Sequence, residues 1–140
     1  MIKFKPTLLA LLLTTASLIA SAETAVIVAA SNGNGTIDKA TISKIFLGKT
    51  KSFPDGSQAV PIDQDDGSAV RESFNSSLLG KSSSQLKSYW SRLIFTGKGT
   101  PPKQLGTDAE IKSLVSSNPN MIGYIDSSAV DSSVKVVLKF

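Results

Sequence analysis

The sequence contains neither cysteine nor histidine. Without cysteine no disulfide can staple the fold, so it must be held by its own packed core. Without histidine no Ser-His-Asp or Cys-His pair can activate a nucleophile. With both residue types missing, the usual zinc and copper ligands are gone as well. Only carboxylate, hydroxyl, amide and basic chemistry is left, so neither an enzyme nor a metal or other cofactor is expected. No run of lysine and arginine is interleaved with aromatics, and nucleic-acid binding therefore has no support.

Long apolar runs are also missing outside the first residues. Lys3 and Lys5 precede the run from Leu8 to Ala20, and Ala20-Ser21-Ala22 has the small-x-small form of a cleavage site. Residues 1–22 therefore read as a secretory signal peptide cleaved after Ala22. The run is too short for a transmembrane helix, and no cysteine follows it to carry a lipid. The expected product is an exported, periplasmic chain, residues 23–140, long enough for a single domain. Loss of Lys3 and Lys5 from the 15 basic residues against 11 acids lowers the formal net charge from +4 to +2.

Thr24 to Ala30 is a continuous apolar run rich in β-branched residues and predicts a buried strand. The loop Ser31 to Gly35 follows. Asp38 is placed to cap a helix in which Ile42, Ile45 and Phe46 share a face, with Gly48 ending it. Asn32-Gly33-Asn34-Gly35 imitates the middle of a calcium loop. With Gly35 at loop position 6, however, the two outer ligand positions fall on Ala30 and Thr41, which carry no carboxylate. Ala59 to Ile62 predicts a second strand, at an edge or only partly paired because Pro61 cannot donate to a ladder. Val70, Phe74 and Leu78 then mark a helix ending at Gly80. Leu86, Tyr89, Trp90, Leu93 and Ile94 mark another, whose aromatics read as core. Thr107-Asp108-Ala109-Glu110 is a capping box for a last helix with Ile111, Leu114 and Val115 inward. Met121 to Ile125 and Val134 to Leu138 complete a set of four strands. Strands alternating with helices predict an α/β fold, a three-layer-like sandwich whose small mixed sheet is flanked by helices.

In such sheets ligands sit beyond the carboxyl ends of strands, where the following helices begin. Two segments qualify. One is Asp66, Gly67, Ser68, Ala69, Val70 and Arg71, where a helix start offers unpaired backbone N–H groups and the positive end of its dipole to an oxyanion. The other is the loop holding Ser31 and Asn32.

Five motifs occur in a recognisable order: Ile45-Phe46-Leu47-Gly48-Lys49; Asp66-Gly67-Ser68 opening a helix with Phe74; Trp90; Gly97-Lys98-Gly99; and Asn118 to Ile125. In this the chain resembles the periplasmic phosphate-binding proteins of ABC transporters, over about Ile37 to Ile125. The resemblance implies one lobe of a type 2 periplasmic-binding-protein fold and a phosphate or related oxyanion as ligand. In the family the pattern is Arg-x-Asp-Gly-Ser-Gly-Thr, and its Arg, Ser, Gly and Thr bind phosphate. Here Ser68 matches, while Gln64, Ala69 and Val70 stand at the Arg, Gly and Thr positions. The lost arginine would have supplied a bidentate, charge-assisted contact. Arg71 lies one residue beyond the motif, and the carboxylates of Asp63, Asp65 and Asp66 stand close by.

Two readings follow. One is a solute-binding domain that holds phosphate or a related oxyanion weakly at the helix start and serves a membrane transporter. The other is a single-lobe interaction module that has lost ion binding and docks on a receptor, a sensor or a second copy of itself.

Overall fold

Residues Thr24–Ala29 form strand β1, and all six side chains are buried. A strand apolar on both faces needs cover on both faces, which fixes the layering of the domain. The computed structural model describes residues 23–140; the segment read as a signal peptide lies outside the described residues.

Strand β1 sits between two antiparallel neighbours, and four more strands complete the sheet: β2 (Val60–Asp63), β3 (Lys103–Gln104), β4 (Met121–Asp126) and β5 (Val134–Lys139). Their order is β3-β2-β4-β1-β5, with β2 parallel to both β3 and β4. The two-residue β3 at the edge was not foreseen. Pro61 has the effect expected of it. The first half of β2 pairs with β4, at Val60 and Pro61, and the second half with β3, at Ile62 and Asp63.

Helices α1 (Lys39–Phe46) and α2 (Ala69–Phe74) cover one face, α2 running on into a π-helical turn, Asn75–Leu79. Their Ile42, Ile45, Phe46, Phe74 and Leu78 pack on Val26, Val28, Ile122 and Tyr124. Gly80, with φ of 64°, ends the turn in the left-handed region that glycine enters freely. The stretch expected as one helix is thus an α segment and a wider turn, in which Phe74, Asn75 and Leu78 are all buried. Helix α4 (Asp108–Ser117) covers the other face, setting Ile111 and Val115 against Ala25, Ile27, Ile62 and Ile125. It seats directly on β4. A Cβ at Gly123 would lie 2.8 Å from Ile111 Cγ2.

Helix α3 (Ser83–Phe95) departs from expectation. A Ser82–Gln85 capping box starts it, yet only Leu86 is fully buried. Tyr89 and Trp90 are half-buried rather than core. The helix lies over turns instead of the sheet centre: Tyr89 Oη donates to the Leu47 carbonyl at 2.6 Å, and the Trp90 ring rests on Gly48 and Gly99. An amphipathic pattern reports that a face is covered, not by what.

Candidate functional site

Strand β2 delivers Asp63 and Gln64 to the carboxyl end of the sheet, where Tyr124 of β4 meets them. Tyr124 Oη donates to Asp63 Oδ1, and the Gln64 backbone N–H donates to the same oxygen at 2.9 Å. Gln64 is itself buried and satisfied on every side. Its Nε2 donates to Asp108 Oδ1 at the start of α4 (2.6 Å) and to the Tyr124 carbonyl (3.0 Å), and its Oε1 accepts from Ser68 Oγ (2.6 Å). One amide thus ties together β2, β4, α2 and α4. Ser68 caps α2, its hydroxyl accepting from the Arg71 N–H at 3.2 Å. The turn before it is closed by Gly67 at φ 83° and by a Ser68 N–H to Asp65 carbonyl bond of 3.2 Å, and an Asp65 N–H to Gly106 carbonyl bond of 3.0 Å ties it to the loop before α4.

Arg71 curls back over this connection. Its guanidinium donates to Asp66 Oδ1 at 2.5 Å and to the Gln64 carbonyl at 3.3 Å, and lies 3.6 Å from Asp63 Oδ2. Burial pushes the Asp63 carboxyl up from its ordinary value, against the opposing pull of the Tyr124 hydroxyl and the Arg71 charge. Burial, followed by the Asp63 charge, pushes the Tyr124 phenol up far more. Two carboxylates therefore share one guanidinium, and Arg71 has little uncompensated charge to offer an anion. What the helix start does offer is the N–H groups of Ala69 and Val70, first-turn donors with no intrahelical acceptor.

Asp66, Gly67, Ser68, Ala69, Val70 and Arg71 are thus together in one connection, as the sequence suggests. Ser31 and Asn32 are not brought to it. Because β1 runs antiparallel to β4, which is parallel to β2, the carboxyl end of β1 lies at the opposite end of the sheet. There the buried Asn32 is a loop tether. Its Nδ2 donates to the Pro119 carbonyl at 3.0 Å, and its Oδ1 accepts from the backbone and side-chain N–H groups of Asn34. The paired acceptor and donor leave the Asn32 amide no spare role.

Sequence reasoning missed Tyr124 and Asn75. Tyr124 sits in a strand where any large residue would read as core. Its contact with Asp63 depends on the β2–β4 register, which no local pattern carries. Asn75 is polar on an apolar helical face. It lines a cleft of about 240 Å³ between the β2–α2 connection, α3 and the Pro101-Pro102 segment.

No family model matches the sequence, and neither does any curated protein. Solved structures do match. One, described as a phosphate ABC transporter substrate-binding protein with bound phosphate, from Clostridium perfringens, shares 27% identity over 83% of this chain with a TM-score of 0.66. An ABC-type phosphate transport receptor from Vibrio cholerae matches at 20% identity and a TM-score of 0.64, and PstS from Borrelia burgdorferi at 15% and 0.60, each again over 83% of the chain. In structure, the chain matches a single lobe of the periplasmic phosphate-binding proteins of ABC transporters. The mixed sheet with its flanking helices is that of one lobe of a type 2 periplasmic-binding-protein-like fold. The chain spans a little under half of these structures, 45%, 46% and 47% of their lengths. Among the described residues of this lobe no group of three or more Asp, Glu, Cys or His side chains could hold a metal ion.

Proposed function

We propose that this lobe is an exported solute-binding domain that holds phosphate or a related oxyanion weakly at the β2–α2 connection and works with a membrane transporter. The observation that carries the reading is the Asp66-Gly67-Ser68 turn opening α2, with the Ala69 and Val70 N–H groups at the helix start, in a fold matched by a structure that holds phosphate. An anion there would be held by backbone donors and the Ser68 hydroxyl, with help from the helix dipole. Weak binding follows from the surroundings. The Ser68 hydroxyl already donates to Gln64, and Arg71 already serves Asp63 and Asp66. A Kd in the millimolar range, about −4 kcal/mol, is the expected scale.

Calorimetric titration of residues 23–140 with phosphate and sulfate tests this, repeated with Ser68→Ala and Arg71→Ala. Binding that weakens in Ser68→Ala supports the reading. No heat and no thermal shift at about 10 mM phosphate sinks it, because a 1 mM site would then add about 1.4 kcal/mol of stability.

A second reading, an interaction module, rests on α3. Its last turn leaves Ile94 54% and Phe95 92% exposed. From Ser73 to Thr107 the chain carries Lys81, Lys87, Arg92, Lys98 and Lys103 and no acid. Apolar residues framed by cations suit an acidic docking partner or receptor. Size-exclusion with light scattering, on the native chain and on Phe95→Ser, tests the self-association form of it.

A further inference from the structure

The cleft between the β2–α2 connection and α3 shares Asp66 and Arg71 with that connection, but none of Ser68, Ala69 or Val70 lines it. Its lining is partly apolar, with Leu79, Leu86, Trp90, Ile94 and Pro102, and partly polar, with Asp63, Asp66, Arg71, Asn75 and Lys87, two carboxylates balanced by two cations. Among the described residues, two acceptors here have no hydrogen-bond donor. Asn75 is only 3% exposed, and its Oδ1 is buried without a hydrogen-bond partner. Asp63 Oδ2 has only the Arg71 guanidinium, at 3.6 Å, beyond hydrogen-bond reach. A buried acceptor left unpaired is costly, and here it sits on a π-helical turn, a distortion frequent at functional sites. The buried residues next to it on these helical turns, Phe74 and Leu78, are apolar.

We infer that this cleft is a second binding site, for a small molecule with an apolar body and an ammonium head, the size of an aliphatic amine or amino acid. The head donates to Asn75 Oδ1 and Asp63 Oδ2, and the body lies on Trp90, Leu86 and Ile94. A volume of about 240 Å³ admits such a molecule and falls below the range of drug-sized pockets. This inference does not rest on the oxyanion reading.

Trp90 is the single tryptophan of the chain, so its fluorescence reports the cleft directly. Titration with isoamylamine and with L-leucine should shift its emission saturably, while isocaproate, which has the same body and no ammonium, should not. Phosphate at about 10 mM should leave the amine titration unmoved, because the anion's donors, the Ala69 and Val70 N–H groups and the Ser68 hydroxyl, do not line the cleft. Asn75→Leu, close in volume, should weaken amine binding about tenfold or more while thermal stability holds or rises, as expected when an unpaired buried acceptor is replaced by an apolar group. Should that variant fold poorly, Ile94→Lys, on the exposed rim, provides the same test by removing apolar wall and repelling an ammonium. Absence of a saturable response to either amine at about 10 mM, an equal response to isocaproate, competition by phosphate, or full binding by Ile94→Lys would each overturn the assignment.

Discussion

Tyr124→Phe removes one oxygen from the centre of the β2–β4–α2 junction and leaves the ring. The ring stacks on Phe74 with centroids 3.9 Å apart and planes 4° from parallel, so the packing survives the change. What is lost is the hydroxyl that donates to Asp63 Oδ1. The Asp63 side chain is 13% exposed, and water cannot fully replace the lost donor, although the Gln64 N–H still serves the same oxygen. A hydrogen bond to a charged group is worth about 1.5–3 kcal/mol, and the surviving donor puts the expected loss near the lower end. The pH dependence supplies the sharper test. Burial already raises the Asp63 pKa, and removing a donor to its ionised form raises it further. A carboxyl whose folded pKa is raised contributes stability that is fully present below its unfolded pKa and lost as pH rises through the folded value. The deficit of the variant should therefore be full near neutrality and shrink on acidification. Urea denaturation followed by circular dichroism at about pH 7.5 and about pH 4.5 measures both. A deficit below about 0.5 kcal/mol at the higher pH, or an equal deficit at the two, would refute the reasoning.

Gly123→Ala should cost about 1–3 kcal/mol by forcing α4 off β4, because the added methyl meets Ile111 Cγ2 at 2.8 Å. Adding Ile111→Val should recover part of that loss, and denaturant midpoints of the three variants decide it. Gln64→Arg puts a guanidinium where the family pattern has one and frees the Ser68 hydroxyl from Gln64 Oε1. Phosphate affinity by calorimetry should rise about tenfold or more through a charge-assisted pair, and unchanged affinity would count against the helix start as the anion site. Phe95→Ser should leave the unfolding free energy within about 0.5 kcal/mol, as is typical of surface changes, given its exposure, and denaturant midpoints check it. A large loss would mean that α3 is covered after all. Alkaline titration read by tyrosinate absorbance should find Tyr124 ionising only as the protein unfolds, since burial and Asp63 both raise its pKa.

The sequence by itself determined most elements and their caps, because those depend on neighbours a few residues apart. The apolar run Thr24 to Ala30 announced a buried strand. Ser68 and Thr107 announced helix starts, Pro61 a strand that pairs only in part, and the ordered motifs the lobe to which the chain corresponds. Tertiary structure alone decided which ends meet. Strand direction is invisible in local pattern, so only the antiparallel setting of β1 separates Ser31 and Asn32 from the Ser68 connection. Register is equally nonlocal, and it sets Tyr124 against Asp63 across 61 residues of chain. The amphipathic stripe of α3 could not disclose that turns would cover it in place of the sheet, leaving Trp90 beside an open cleft and Phe95 in solvent.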